Sequence, residues 1–69
     1  VSLVSPDFEV ELCSSPRLEA AVDSLGPAEV GLLVEERLVD PHWHGYRVSR
    51  VLSPRGVLGW VLSSVLRAA

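Results

Sequence analysis

His42 and His44 flank Trp43, with Asp40 two residues upstream of the first histidine. On a strand, a His-x-His pair would turn both imidazoles to one face, as some metal sites require. Here the pair lies in a loop, and two histidines and one aspartate lack a fourth ligand. They read as solvated loop residues beside a tryptophan packed at a sheet edge, so no metal is assigned. A nucleophile needs a base within reach. Cys13 with His42 or His44 is the one candidate pair, and nothing in the sequence positions it. Ser63 and Ser64 fall in a turn with no evident base. Cys13 is read more simply as a small, half-buried apolar residue. The chain has no Gly-rich phosphate loop, no His-Glu-x-x-His and no cofactor motif, so it is read as non-enzymatic and cofactor-free.

The remaining chemistry is that of contact surfaces. Trp60 stands between Gly59 and Val61. If Val61 points to the core, Trp60 points out. Tyr46 opens another alternating run. Trp and Tyr are the residues most enriched at binding hot spots.

These residues must be positioned by short strands. Phe8-Glu9-Val10-Glu11-Leu12 alternates apolar and acidic residues, which places Phe8, Val10 and Leu12 inward. Ser5-Pro6-Asp7 before it reads as a turn. Arg17 to Leu25 is open between one or two amphipathic helical turns and an irregular excursion that returns as a strand through Val22 to Leu25. Gly26-Pro27 closes it. Val30 to Leu38 is the longest strand candidate, with Leu33 on a second, partly covered face. Tyr46 to Leu52 alternates again, with a bulge expected at Val51 and Leu52. Ser53-Pro54-Arg55-Gly56 is a hairpin loop, and Val57 to Leu62 is the return strand. Ser63 to Leu66 reads as a short helical turn that drops Val65 or Leu66 onto the core. About five short strands in so short a chain must close into a small barrel or a two-sheet sandwich.

Composition agrees. The chain has 69 residues, five Gly, five Pro and 48% apolar content. That is room for one domain, with its core at about residues 8–67. The net charge is −3 and the six basic residues, all Arg, are scattered, which argues against a nucleic-acid surface. Arg47, Arg50 and Arg55 are the one local basic grouping. A single cysteine allows no internal disulfide and fits a reducing, cytoplasmic compartment. No apolar run reaches the ~18 residues needed to span a bilayer. The missing initiator Met implies a fragment or processed product of a longer protein.

The run Gly59-Trp60-Val61-Leu62-Ser63-Ser64-Val65-Leu66 resembles the C-terminal signature of Src homology 3 domains. These end in a strand, a distal hairpin, a strand with Gly-aromatic-aliphatic-Pro-Ser-Asn-Tyr-aliphatic, a helical turn and a last strand. Tyr46-Arg47-Val48-Ser49 is similar to the family's Trp-Trp-x-Ala run. The ending is also similar to the Gly-Trp-Val-x-Ser-Ser-Tyr-Leu of bacterial relatives. The resemblance covers about residues 30–66. It implies an all-β, five-stranded Src homology 3-like barrel with a short helical turn before the last strand.

It also implies a peptide groove, normally a row of rings and a Pro that clasp a polyproline helix. The groove Trp matches Tyr46, the groove Pro matches Leu62 and the groove Tyr matches Val65, while Trp60 keeps its aromatic. The Ala-Leu-Tyr-Asp-Tyr run is absent. Trp43 is a stand-in ring from the neighbouring loop. Glu19 and Asp23 fall in the first loop, where the family's acids pair with a ligand Arg or Lys, and Asp40 edges the same surface. The expected function is a protein–protein interaction module with a non-standard protein or peptide partner, intramolecular partners included. The alternatives are a bacterial-type domain that anchors an enzyme to cell-wall glycan, and a structural subdomain whose apolar second face at Leu33, Val51 and Leu58 is covered by a partner.

Overall fold

The computed structural model describes residues 2–40, 42 and 44–69. The protein is all-β. Among the described residues seven strands form: β1 (Ser2–Pro6), β2 (Val10–Cys13), β3 (Ala21–Leu25), β4 (Gly31–Val39), β5 (Tyr46–Leu52), β6 (Leu58–Leu62) and β7 (Leu66–Ala68). A 3-10 turn, Ser63–Val65, separates the last two. The strands make one antiparallel sheet in the order β3-β2-β6-β5-β4-β1-β7. Among the described residues there is no α-helix, and no helix long and apolar enough to cross a membrane.

The sheet curls on itself. Val4 from β1, near one edge, and Leu25 from β3, at the other, share one buried cluster with Val10, Leu12, Val51 and Val61. Leu12, Leu25 and Val51 lose all exposure there. Burial of each such side chain stabilises the fold by about 1.5–3 kcal/mol. Two glycines let the strands approach. A Cβ on Gly59 would stand 2.5 Å from the Leu12 Cβ, and one on Gly31 would collide with Val51 Cγ1.

The hairpin loop before β6 follows its turn chemistry. The Gly56 N–H donates to the Ser53 carbonyl at 2.9 Å, and Gly56 takes φ 84°, which suits a residue without Cβ. The Ser53 Oγ accepts from the N–H groups of Arg55 and Val57. The 3-10 turn then lays both Val65 and Leu66 against the inner cluster.

Several sequence expectations change. Seven strands replace five, because Ser2–Pro6 pairs with β4 and β7 instead of forming a turn and the open segment before Gly26 adds β3. Val4 and Pro6 are buried, so the core begins before residue 8. The open segment resolves as strand at Ala21–Leu25, paired with β2. Phe8 is 57% exposed and precedes the strand, so it does not face the core. The expected bulge is displaced across the ladder. It lies in β4, between Leu33 and Glu35, opposite Val51 and Arg50. That extra residue reverses the phase of β4: Leu33 packs on the inner cluster, whereas Val39 joins a second cluster. Leu33 and Val51 are therefore inner residues, and only Leu58 of the expected second apolar face is exposed.

Candidate functional site

The second cluster lies on the opposite face of the sheet. Val39, Val48 and Trp60 are buried in it, with Leu18, Tyr46 and Leu62 packed against them. Cross-strand register brings these groups together. Val39 opposes Tyr46, Val48 opposes Leu62, and Arg50 opposes Trp60. Trp60 thus points away from the inner cluster, as alternation requires. It is still only 7% exposed. Arg37 and Arg50 cover its ring, with guanidinium carbons 5.1 Å and 6.0 Å from the centroid. Glu35 accepts a hydrogen bond from Arg37 at 3.0 Å and lies 4.0 Å from Arg50. Trp60 is a floor beneath two cations and does not present an open aromatic platform.

Two depressions adjoin this cluster, sharing the Ser15–Glu19 loop between β2 and β3. The first is a groove of about 280 Å³ lined by Phe8, Val10, Leu18, Leu62 and Val65, with Glu9 and Glu11 contributing to its wall. Cys13 also lines it. Burial and then the neighbouring Glu11 push the Cys13 thiol pKa up, which keeps it protonated and poorly nucleophilic. The second is a pocket of about 430 Å³ between that loop and the end of β4, lined by Arg17, Glu19, Arg37, Val39 and Asp40 among others.

The shared loop is tightly built. The Ser14 N–H donates to the Ala20 carbonyl at 2.8 Å, closing its base. The Ser15 Oγ accepts from the Arg17 N–H and donates to Glu19 Oε1. The Leu18 N–H donates to the Ser15 carbonyl, and Leu18 sits at φ 60°. A left-handed backbone at a branched side chain costs on the order of 1–2 kcal/mol. This conformation places Leu18 against the second cluster and in the groove wall.

Arg17 reaches across to Asp40, with Nη1 and Nη2 3.0 Å and 3.1 Å from the two carboxylate oxygens. This bidentate fork raises the Arg17 pKa, through the hydrogen bond first and then the charge of Asp40.

The expected site residues therefore divide. Tyr46, Trp60 and Leu62 meet in the second cluster, and Leu62 with Val65 lines the groove. Glu19 and Asp40 line the pocket, where Asp40 is already paired. Asp23 belongs elsewhere. It lies with Glu29 on Arg55, bound to the arginine Nε at 3.0 Å, beside the Ser53–Gly56 hairpin. The three expected patch arginines do not act together: Arg50 lies on Trp60 and Arg55 on that acidic pair. Trp43 lies outside the described residues. His42 and His44 are exposed, and no three His, Cys, Asp or Glu side chains gather to hold a metal among the described residues.

Sequence reasoning missed Phe8, Leu18, Glu9 and Glu11 as wall residues. Phe8 carried a signal, because a ring next to Asp7 and Glu9 just after Pro6 can leave the strand pattern. Leu18 carried none, since its placement depends on a positive φ. No family model, curated protein or solved structure matches the chain.

Proposed function

We propose that the chain is a non-catalytic protein–protein interaction module, an atypical Src homology 3-like barrel. Its ligand is a short apolar segment carrying a cationic residue. The groove between β2 and the β6–3-10 junction carries this reading: Phe8, Leu18, Leu62 and Val65 offer apolar contact, and Glu9 and Glu11 bias it toward a basic partner. The order of β5, tight hairpin, β6, 3-10 turn and β7 supports the family resemblance. The covered Trp60 and the paired Asp40 favour a non-standard ligand over a free polyproline helix. A cytoplasmic setting belongs to the same proposal.

The test is a titration of isotope-labelled protein with two peptide panels, one Pro-rich and one apolar-basic, followed by NMR. Expected are shifts at Phe8, Leu18, Leu62 and Val65 with the apolar-basic panel, and Pro-rich binding weaker than about 10 μM, roughly −7 kcal/mol. Tighter Pro-rich binding overturns the non-standard ligand. Retention on cell-wall glycan with a silent groove overturns the module itself.

A further inference from the structure

A separate surface lies on the same outer face as Trp60, beyond its row. Leu3, Leu32, Leu52 and Leu58 stand directly opposite one another in β1, β4, β5 and β6. Their neighbours in the chain fix the direction in which they point. Val4, Leu33 and Val51 pack on the inner cluster, and a Cβ at Gly59 would strike Leu12 there. The four leucines therefore point outward. Leu3 is 57% exposed and Leu58 42%, with Leu32 and Leu52 half-buried between them. At ~4.8 Å per strand the ladder runs about 14 Å across the sheet.

The next outer row along β4, β5 and β6 is Glu35, Arg50 and Trp60. Its charges have opposite signs on the two central strands. That antisymmetry identifies an occupant. We propose that the leucine ladder is the contact surface of a homodimer, closed by a two-fold axis parallel to the strands between β4 and β5. Such an axis reverses strand order. It lays Leu52 over Leu32 of the second copy at the axis and, on the flanks of the curled sheet, turns Leu58 toward Leu3 of the second copy. The same operation brings Arg50 to Glu35 of the second copy, and Glu35 to Arg50 of the second copy. An isologous contact must be self-complementary, and this surface is so in both its apolar and its charged row. An axis along the ladder would instead carry the charged row past the ladder toward the hairpin end and leave it unmatched. Within one chain Arg37 holds Glu35 at 3.0 Å and Arg50 reaches it only at 4.0 Å, so Arg50 can turn to Glu35 of the second copy while the Arg37 contact is kept. One ladder and its charged row bury less than the roughly 1,600 Å² of a standard interface, so the dimer is weak and dependent on concentration.

Sedimentation velocity between about 10 μM and about 1 mM, a range that reads weak affinities, tests the proposal. Expected is a monomer–dimer equilibrium that Leu58→Asp abolishes while the circular dichroism spectrum is unchanged. Leu3→Asp, on a strand near the sheet edge, replaces it if the first variant fails to fold. Arg50→Glu weakens association about tenfold, and Arg50→Glu with Glu35→Arg restores it. A protein that stays monomeric throughout, a dimer that neither leucine variant disturbs, or a double charge reversal no better than the single one overturns the proposal.

Discussion

Arg37 lies over the face of Trp60, its guanidinium carbon 5.1 Å from the ring centroid. The contact joins β4 to β6 across the intervening β5. It leaves an aromatic that points away from the inner cluster only 7% exposed. A cation over an indole at an exposed site is worth about 0.5–1 kcal/mol, and the arginine stem adds apolar cover. Arg37→Ala is expected to lower Tm by about 3–6 °C in a domain of this size. It should also shift the Trp60 indole resonance toward its solvent-exposed position. An unmoved resonance would show that Arg50 alone covers the ring.

Arg17 and Asp40 close a fork beside the proposed groove. Under the proposed function, a cationic residue of the partner that reached past the groove to Asp40 would meet Arg17 there, so Arg17 would compete with it. Arg17→Ala is expected to tighten binding of an apolar-basic peptide several-fold while leaving Tm almost unchanged, since exposed ion pairs contribute little. Calorimetric titration reads the first effect and thermal unfolding the second. Weaker binding by the variant would place Arg17 on the ligand instead.

Arg55 holds the hairpin to β3 and its following turn. It binds Asp23 and Glu29 and donates to the Ser24 carbonyl. The hydrogen bond from Arg55 lowers the Glu29 pKa, helped by the Gly26 N–H. Ser53 and the Ser24 N–H lower that of Asp23, with Arg55 adding to them. A carboxylate whose folded pKa is depressed stabilises the fold above its unfolded value, near 4. That contribution is lost as pH falls through the folded value. Stability is therefore expected to drop below about pH 4, and Arg55→Gln should flatten that acid limb while mattering least below it. Urea unfolding across pH measures this. An acid limb of equal depth in the variant would assign it to other carboxylates.

The sequence made the hairpin, the 3-10 turn and β5 legible, because each depends on neighbouring residues. Ser53-Pro54-Arg55-Gly56 carries its own turn chemistry, and Tyr46-Arg47-Val48-Ser49 opens β5 with clear alternation, although Val51-Leu52 suggested a bulge that β5 does not have. Long-range features were not legible. β1 pairs with β4 and β7, both distant in sequence, and its closing Ser5-Pro6 looks like a break. The bulge at Val34 sends Leu33 inward yet Arg37 and Val39 to the Trp60 face, which one alternating pattern cannot encode. For the same reason the arginine cover on Trp60, which needs the register of three strands, had no local signal. Of the groove walls, Leu62 and Val65 are residues the resemblance had singled out, whereas Leu18 reaches the groove only through a loop conformation.

Gly59 and Gly56 carry different constraints. Gly59 is inside the sheet, where an added Cβ would stand 2.5 Å from the Leu12 Cβ and 3.2 Å from its carbonyl carbon. Neither can move away freely, so Gly59→Ala is expected to cost about 2–3 kcal/mol as overpacking. Gly56 has open space around its Cα but a φ of 84°. Gly56→Ala should cost about 1–2 kcal/mol through backbone strain alone. Denaturant midpoints order the two, and the reverse order would mean that β2 and β6 separate without penalty.

Ser49 and Ser63 form the contact that fastens the 3-10 turn to β5. Their hydroxyl oxygens are 2.6 Å apart, and Ser49 is 2% exposed. The pair lies beside Leu33 and Glu36 at a surface depression, with Ser49 buried and Ser63 half-buried. Either single change to alanine leaves the other hydroxyl short of its partner. Ser63→Ala, which strands the buried Ser49 hydroxyl, is therefore expected to cost about 1–2 kcal/mol, and Ser49→Ala, which leaves the half-buried Ser63 within reach of water, about 1 kcal/mol. Removing both hydroxyls together removes the unsatisfied group as well. The double variant should accordingly be no less stable than the worse single one, giving a coupling energy of about 1 kcal/mol in a double-mutant cycle. Additive losses would show that the two hydroxyls act independently and that the turn is held by Val65 and Leu66 alone.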